Sequence, residues 1–347
     1  MDLIIEQDCI EYSPYIDLSP LNDKTIIITG ANGLIGTYLI YFLHLANLKK
    51  KFNIKIIGVS KHHPNARLRE IFKDRYNFYA MDLINTSSIE LLAKADYIIH
   101  GAGYAQPSKF LNNPLESMRL NTNTTDALLA KAVRDEAHFL YLSSSEIYGS
   151  PDSDNIPTSE DYVGHCSPIE PRSFYSESKR MGETFCYAYK ESQALDAKIA
   201  RISITYGPGV NINDERVIGN FLKMALIDGE IRMLDEGEQT RTFCYVSDCA
   251  LMLLNILLYG KKFVYNVGGK GAKSIKELAQ EICLLTSSKL TIPIETNSDL
   301  RAATHVELNI DRICKELEIN QFVKLRDGLK RTIEWNRKLI NQKQEDI

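Results

Sequence analysis

Short apolar runs alternate with amphipathic stretches over the first half of the chain. The runs are rich in β-branched residues and contain few polar positions, which is typical of strands buried on both faces of a parallel sheet. Strands that alternate with helices predict an α/β protein with a doubly wound parallel sheet. The five strands predicted from these runs cover residues 24–29, 55–59, 77–80, 97–100 and 138–142.

After Gly207 the alternation becomes less regular. We expect a main domain of residues 24–205 plus about 242–268, and a smaller C-terminal, substrate-binding domain of residues 206–241 and 269–347. Residues 1–23 are expected to form an extension that packs on the surface or on a partner. A cleft between two domains is a usual place for a ligand. Helices are predicted over 37–46, 114–134, 214–228, 247–259, 274–285 and 325–340, with strands over 231–234 and 263–267.

Composition and charge exclude several classes of function. The chain has 347 residues and a net charge of −4, and it has no clustered basic run of the kind that nucleic-acid binding requires. The longest apolar runs, such as residues 251–259, are too short to span a membrane. Seven cysteines without a Cys-x-x-Cys pair indicate reduced thiols in a cytoplasm rather than disulfides or a zinc site. No histidine spacing indicates a metal either.

A glycine-rich turn follows the first predicted strand: Gly30-Ala-Asn-Gly33-Leu-Ile-Gly36. Gly30 permits a tight turn, Gly33 lets the backbone approach a pyrophosphate at a helix N-terminus, and Gly36 allows close packing of helix on strand. This context predicts a Rossmann-type dinucleotide-binding domain. Within the turn, the cofactor-binding residues are expected to be Gly30, Asn32, Gly33, Leu34, Ile35 and Gly36.

The second predicted strand is followed by Ser60 and Lys61, without the acidic residue that NAD-binding versions usually carry there. Lys61 or Arg67 could meet the 2′-phosphate of NADP, so NAD and NADP both remain open from the residues alone. The ends of the following strands and the helix over 114–134 add further cofactor-binding candidates: Asp82, Leu83, Gly101, Ala102, Gly103 and Asn121.

The chemistry-bearing candidates follow the fifth predicted strand. Ser144, Ser145 and Glu146 lie at the carboxyl end of that strand, where open α/β sheets bind ligands. Tyr175 and Lys179 lie four residues apart, which places them on one face of a helix. A neighbouring ammonium is expected to lower the tyrosine pKa from its usual value of roughly 10. Such a phenol can act as a general base toward a sugar hydroxyl.

These motifs resemble those of the extended short-chain dehydrogenases/reductases that modify nucleotide sugars. The resemblance covers about residues 24–335. Within that family the chain is most similar to the UDP-glucuronate decarboxylases over residues 168–180, 213–217 and 239–248. The motifs that carry it are Thr29-Gly-Ala-Asn-Gly-Leu-Ile-Gly36, Ser143-Ser-Ser-Glu146, Tyr175-x-x-x-Lys179 and Tyr206-Gly-Pro208.

The resemblance implies roles for the site residues. Tyr175 would be the base for oxidation at the sugar C4, Lys179 would hold the nicotinamide ribose, and Ser144 would bond the C4 oxygen. The C5–C6 end of the sugar would be handled by Ser145, Glu146 and Arg241. Such enzymes keep NAD tightly bound and are usually dimers, which implies a homodimer here. The substrate, a nucleoside diphosphate sugar, is expected to be bound by Gln106, Ser144, Glu146, Arg216, Arg241 and Arg301.

Three features depart from the decarboxylase pattern: the missing acid after Val59, the C-terminal basic residue, near whose place both Arg301 and His305 lie, and the residue at position 204. Ile204 stands where those enzymes carry an asparagine that contacts the substrate, and its side chain neither donates nor accepts a hydrogen bond. The alternatives to a decarboxylase-like enzyme are therefore an NDP-sugar 4,6-dehydratase and an NDP-sugar 4-epimerase or 4-oxidoreductase. A non-catalytic dinucleotide-binding protein is the reading from another class, because a fold alone does not fix a function.

Overall fold

The computed structural model describes residues 2–73, 76–293 and 305–345. These residues form thirteen strands and eleven α-helices, besides short 3₁₀ and π segments. The strands are β1 (Thr25–Thr29), β2 (Lys55–Ser60), β3 (Phe78–Ala80), β4 (Tyr97–His100), β5 (His138–Ser144), β6 (Ala197–Ile202), β7 (Ile204–Tyr206), β8 (Glu230–Arg232), β9 (Thr240–Tyr245), β10 (Val264–Val267), β11 (Ala272–Ser274), β12 (Lys289–Thr291) and β13 (His305–Val306). The helices are α1 (Leu3–Tyr12), α2 (Leu34–Lys50), α3 (Pro107–Asn112), α4 (Pro114–Asn121), α5 (Asn123–Asp135), α6 (Ser173–Gln193), α7 (Val217–Lys223), α8 (Val246–Tyr259), α9 (Ile275–Thr286), α10 (Asp311–Glu316) and α11 (Leu325–Glu345).

In the described part of the chain, a seven-stranded sheet has the order β10-β6-β5-β4-β1-β2-β3. All its neighbouring strands run parallel. The chain winds outward from β1 to β3 on one side and from β4 to β10 on the other, so the order reverses between β1 and β4. A ligand crevice is expected at that switch point. The predicted doubly wound parallel sheet is confirmed, and β10 returns to it as the sequence predicts.

The helix predicted over residues 114–134 is wrong as a single element, because α4 ends at Asn121 and α5 begins at Asn123. Thr122 lies between them with φ −114° and ψ −78°, and its hydroxyl donates to the carbonyl oxygen of Met118. A side-chain hydroxyl that competes for a helical carbonyl favours such a break. As a result, Asn121 terminates a helix instead of lying within one.

The second half of the chain builds a small mixed sheet around β9. Ser203 separates β6 from β7, so that Ile202 pairs with Val267 of the main sheet and Ile204 pairs with Phe243 of β9. The strands β11 and β13 also pair with β9. Apolar side chains of α7, α9 and α11 form a core with this sheet. The two-domain division drawn from the sequence stays a prediction.

The N-terminal helix α1 enters the main core instead of lying loosely on it. Ile5 and Cys9 are fully buried there. The carboxylate of Asp8 is also buried; it accepts a hydrogen bond from the Tyr38 hydroxyl of α2 at 2.8 Å and one from the Arg331 guanidinium of α11 at 2.7 Å. Buried charges require such partners, so α1 is fixed to two other helices by one side chain.

Candidate active site

Two glycine turns touch each other where β1 and β4 end. Gly30 has a φ of +74°, in the left-handed region that favours glycine. A Cβ on Gly30 would lie 2.6 Å from the carbonyl oxygen of Gly101, and one on Gly36 would lie 2.5 Å from the carbonyl oxygen of Gly30. Backbone therefore packs on backbone and leaves a surface free of side chains before α2. The rest of this turn consists of Ala31, Asn32, Gly33, Leu34 and Ile35.

A buried histidine that the sequence analysis missed links these turns to the α4–α5 break. Thr29 Oγ1 accepts hydrogen bonds from the backbone nitrogens of Gly101 and Ala102, both at 3.1 Å, so its own proton goes to His100 Nδ1 at 2.8 Å. His100 Nε2 must then carry the proton that Thr125 Oγ1 accepts at 3.1 Å. Burial, together with the charge of Lys179, lowers the His100 pKa to about 3.

Asn121 and Lys179 lie beside the second glycine turn. The Asn121 amide donates to Ser178 Oγ at 2.9 Å, whereas its Oδ1 is buried without a hydrogen-bond partner among the described residues. A Cβ on Gly103 would lie 3.3 Å from that Oδ1 and 3.9 Å from Lys179 Nζ. An unpartnered acceptor, an ammonium group and a bare backbone surface fit a polar, planar ligand group, so Ala102, Gly103, Asn121 and Lys179 fit the nicotinamide half of a dinucleotide.

Lys61 is paired in the structure. Its ammonium lies 2.9 Å from the carboxylate of Asp82, and this hydrogen bond lowers the Asp82 pKa. Ser60 ends β2, and the buried Leu83 accepts a hydrogen bond from Thr124 Oγ1 through its carbonyl oxygen. These four candidate residues meet at the carboxyl ends of β2 and β3, where the adenosine half of a dinucleotide is expected.

Arg67 is also engaged, in a joint between two loops. Its guanidinium donates to the carbonyl oxygens of Asn32 at 3.1 Å and Gly209 at 3.2 Å. The Asn32 side chain in turn donates to the carbonyl oxygens of His62 and His63. Neither cation considered for a 2′-phosphate is therefore free to meet one without giving up a present partner.

Tyr175 and Lys179 lie on one side of α6, as the spacing predicts. Tyr175 is buried and its ring stacks on Phe110, with centroids 5.0 Å apart. Lys179 Nζ donates to the carbonyl oxygen of Leu142 at 2.8 Å. It also lies 4.7 Å from the ring centroid of Tyr141 and 5.9 Å from that of Tyr175. Both candidate groups are therefore held against the end of β5.

The predicted lowering of the tyrosine pKa is wrong for this structure. Burial raises the pKa of Tyr175 to about 12, although the nearby Ser144 hydroxyl acts in the opposite direction. Burial also lowers the pKa of Lys179 to about 8. The lysine donates to a carbonyl instead of the phenol, and desolvation disfavours both charged forms. The four-residue spacing predicts that Lys179 lies near Tyr175, but it does not predict that both side chains are buried.

Glu146 lies at the open end of the site with a partner that the sequence analysis missed. It belongs to a 3₁₀ turn that begins at Ser145, and its backbone nitrogen donates to Ser144 Oγ at 3.2 Å. Arg172 Nη2 lies 2.7 Å from each carboxylate oxygen of Glu146. Arg241, on β9, is half-buried. Burial lowers its pKa, the charge of Glu146 raises it and that of Arg172 lowers it. One arginine is thus bound to the carboxylate beside Ser144, and the charges of this pair act on a second arginine.

The remaining substrate-binding candidates are only partly brought together. Arg216 is bound to the Asp214 carboxylate through Nε at 3.1 Å and Nη2 at 2.6 Å. Burial raises the pKa of that carboxyl, and Arg216, together with the nearby Gln106 side chain, lowers it below its usual value. Ile204 begins β7 and is half-buried. Arg301 lies outside the described residues. Gln106 and Arg216 are therefore joined by an acid that the sequence analysis did not single out.

A buried ion pair lies beneath the strand that carries Ser144. The Glu183 carboxylate is bound by the Arg201 guanidinium at 2.7 Å and by the Ser143 hydroxyl at 2.6 Å. Arg201 also donates to the Tyr148 hydroxyl at 3.0 Å. This pair fixes both ends of the segment from Ser143 to Tyr148, which contains the candidate serines and Glu146.

Within residues 2–73, 76–293 and 305–345, no group of three or more His, Cys, Asp or Glu side chains is placed to hold a metal ion. Over the same residues, no helix has the length and apolar character to cross a membrane.

The fold and the site define a class: a Rossmann-type α/β protein with a dinucleotide crevice and a Ser-Tyr-Lys group at its mouth. Residues 26–268 match the model of the NAD dependent epimerase/dehydratase family. The chain belongs to that family, as the resemblance indicates.

Within the family, the chain is similar in sequence to UDP-glucuronic acid decarboxylases. The chain is 33% identical over 333 residues to UDP-glucuronic acid decarboxylase 1 of Xenopus tropicalis, which covers 94% of this chain and 76% of that protein. It is 33% identical over 307 residues to UDP-glucuronic acid decarboxylase 3 of Arabidopsis thaliana, covering 88% of this chain and 86% of the relative.

Two solved structures share the fold. The dTDP-glucose 4,6-dehydratase DesIV of Streptomyces venezuelae, with NAD and TYD bound, has a TM-score of 0.78 at 23% identity, over 92% of this chain and 98% of its own. The UDP-glucuronic acid 4-epimerase of Bacillus cereus, with UDP-glucuronic acid and NAD, has a TM-score of 0.75 at 24% identity, over 91% and 99%.

Proposed function

We propose that this protein oxidises the sugar C4 hydroxyl of a nucleoside diphosphate sugar with bound NAD, and that it acts as a UDP-glucuronate decarboxylase. The observation that carries the proposal is the meeting of Ser144, Tyr175 and Lys179 at the end of β5, beside the glycine turns. The identity to two UDP-glucuronic acid decarboxylases supports the choice of substrate.

The residues of the site fit a dinucleotide. The glycine turns offer bare backbone, Asn121 offers an unpartnered acceptor, and Lys179 offers a cation. NAD is favoured over NADP because Lys61 and Arg67 already have partners. When bound, NAD supplies a hydride acceptor at C4 and can return the hydride later.

The chain's own groups manage the protons. Ser144 Oγ holds the C4 oxygen, and Tyr175 takes the C4 hydroxyl proton as a general base. The pKa of about 12 that burial gives Tyr175 means that an approaching positive charge is needed to form the phenolate. Lys179, with a pKa near 8, supplies that charge when its ammonium turns from the Leu142 carbonyl to the ligand.

A carboxylate at C5 makes decarboxylation the next step. Oxidation at C4 turns the uronic acid into a β-keto acid, whose C5–C6 bond breaks to release CO2 while its electron pair forms an enolate with the C4 carbonyl. No base at C5 is needed for this step. The enolate then takes a proton at C5, so the residues around C5 must orient the carboxylate and need not remove a proton.

A 4,6-dehydratase is the second candidate, and Glu146 is the observation that favours it. Its backbone nitrogen donates to Ser144 Oγ at 3.2 Å, which supports a role for its carboxylate near the C4–C5 part of the sugar. A base there can take the C5 proton while water leaves from C6. A 4-epimerase or 4-oxidoreductase uses the same first step.

We also propose that the protein is a cytoplasmic homodimer. Its seven cysteines are free thiols, which suits a reducing compartment. The helices α4 and α6, which pack together, expose large apolar side chains to solvent: Leu115 at 64%, Met118 at 37% and Met181 at 45%. Burial of such a surface in a second copy is favourable. Light scattering of the wild type against Leu115→Glu tests the dimer, which is rejected if the wild type has the mass of one chain.

The decisive experiment is mass spectrometry of products formed from UDP-glucuronate and UDP-glucose. Loss of CO2 from UDP-glucuronate that disappears in Tyr175→Phe supports the decarboxylase. Loss of water from UDP-glucose selects the dehydratase, and loss of two hydrogens selects a 4-oxidoreductase. An unchanged mass requires NMR to detect a 4-epimer. Bound NAD without any product would support a non-catalytic protein.

A further inference from the structure

Arg172 connects two parts of the site. It is the N-cap residue of α6, and its carbonyl oxygen accepts a hydrogen bond from the Tyr175 backbone nitrogen at 3.1 Å. Its guanidinium Nη2 lies 2.7 Å from both carboxylate oxygens of Glu146. The helix that carries Tyr175 and Lys179 is thus tied at its first turn to the carboxylate beside Ser144.

Arg241 is brought toward the same end of the sheet by strand register and has a much weaker partner than Arg172. Ser144 pairs with Ile202 of β6, and Ile204 of β7 pairs with Phe243 of β9, the strand that carries Arg241. The Arg241 guanidinium donates to the Thr240 carbonyl oxygen at 2.7 Å, and it forms no ion pair with an acid of the described residues. Glu146 and Arg172 are the charged groups that act on it, with opposite signs. Burial disfavours an uncompensated guanidinium, so Arg241 calls for an anion that the described chain does not supply.

We propose that Arg172 is a positioning residue that holds Glu146 away from Arg241 and so keeps Arg241 available for a carboxylate on the substrate. This inference rests on the proposed function, because it assigns a task to a residue of the same site. It assigns a binding group to the C5 carboxylate that the proposed substrate carries.

The net charge of the site supports these separate roles for Arg172 and Arg241. Arg172, Arg241 and Glu146 together carry one net positive charge, which one substrate carboxylate would neutralise. Without Arg172, both carboxylate oxygens of Glu146 would be free, and Arg241 would be available to pair with them. Glu146 would then compete with the substrate for Arg241. With Arg172 present, both oxygens of Glu146 are taken and the competition is prevented.

The test compares the affinity for UDP-glucuronate with that for UDP-glucose, which has a hydroxymethyl group in place of the carboxylate. Calorimetry is done on the NAD-loaded protein carrying Tyr175→Phe, so that neither ligand is turned over. Adding Arg172→Gln is expected to reduce the preference for UDP-glucuronate at least about tenfold, the change expected for one lost charge-assisted hydrogen bond. Adding Glu146→Gln to that variant is expected to restore most of the preference, because the competing charge is gone.

Arg134→Gln is the matched control. Arg134 also forms an exposed ion pair, with Glu90 at 2.8 Å, but it lies just before β5, at the opposite edge of the sheet. Its removal is expected to leave the preference unchanged. A purely structural role of Arg172 predicts no rescue by Glu146→Gln.

Three results would overturn the inference: no preference for UDP-glucuronate in the Tyr175→Phe background, an unchanged preference in Arg172→Gln, or a lost preference that Glu146→Gln does not restore. CO2 release by the wild type is measured separately. If it is absent while the rescue holds, the decarboxylase proposal fails and the role of Arg172 stands. If CO2 is released and the rescue fails, the reverse applies.

Discussion

We predict that His100 is a neutral imidazole in the folded protein. Replacing it should make the free energy of unfolding less sensitive to acid. Thr29 Oγ1 donates to His100 Nδ1 and Thr125 Oγ1 accepts from His100 Nε2. A second ring proton, on Nδ1, would therefore face the Thr29 hydroxyl proton, and the Thr29 oxygen already accepts from two backbone nitrogens. Burial lowers the His100 pKa from 6.5 to about 3. The unfolded chain, with an ordinary imidazole, therefore binds more protons than the folded one between these values, and stability falls as the pH falls through that window.

The size of the effect follows from the linkage. At about pH 4.5 the unfolded imidazole is two units below its usual pKa while the folded one is still neutral, which costs about 2.7 kcal/mol relative to neutral pH. His100→Asn keeps an acceptor for Thr29 but cannot titrate. It should be less stable than the wild type by about 1–3 kcal/mol near pH 7.5, because Thr125 loses its donor. Its further loss on acidification should be smaller than that of the wild type by about 2.7 kcal/mol.

Urea unfolding followed by fluorescence of Trp335, the sole tryptophan, measures both the stability near pH 7.5 and its loss on acidification. Asp248 titrates in an overlapping range, because burial raises its pKa to about 7. That shift favours the folded state at low pH and is lost as the pH rises, but it is common to both proteins and cancels in the comparison. The exposed His62→Asn serves as the control. Equal acid losses in the wild type and in His100→Asn would refute the assigned tautomer and the neutral state.

Three further substitutions test other parts of the structure. Gly36→Ala puts a Cβ 2.5 Å from the Gly30 carbonyl oxygen, so NAD retention after gel filtration should drop; full retention would contradict the tight turn. Asp8→Asn removes the anion that faces Arg331, and should lower the unfolding free energy in urea by about 3 kcal/mol; a loss below about 1 kcal/mol would mean that the pair is solvated. Ile204→Asn adds an amide at the start of β7, and should lower the KM for UDP-glucuronate; an unchanged KM would place Ile204 away from the substrate.

The parts of the fold that the sequence predicts are those written in local patterns. The five strands of the first half were identifiable because each is a short β-branched run buried on both faces. The glycine turn was identifiable because Gly30, Gly33 and Gly36 lie between a predicted buried strand and a predicted helix. The pair Tyr175 and Lys179 was identifiable because helical periodicity alone brings side chains four residues apart together.

The parts that escaped prediction depend on contacts between distant segments. The His100 tautomer is set by Thr29 and Thr125, which come from different elements. The engagement of Lys61 with Asp82 required the parallel pairing of β2 with β3. The raised pKa of Tyr175 results from burial, which the sequence does not report. Arg172 lay within a stretch already noted, but nothing local indicated that its partner was Glu146.

The placement of Arg241 relative to the cofactor crevice depends on the segment that the sequence suggested was peripheral. Arg241 lies on β9, and the same strand ends at Tyr245, whose hydroxyl donates to the buried Asp8 carboxylate of α1. That carboxylate also accepts a hydrogen bond from the Tyr38 hydroxyl of α2, the helix that follows the glycine-rich turn. Burial raises the pKa of Asp8, whereas its hydrogen bonds from Tyr245, Tyr38 and Arg331 act in the opposite direction and favour the charged form. One side chain near the N-terminus therefore links β9, which carries Arg241, to α2, which follows the glycine-rich turn, and so helps to fix these two parts of the candidate site relative to each other.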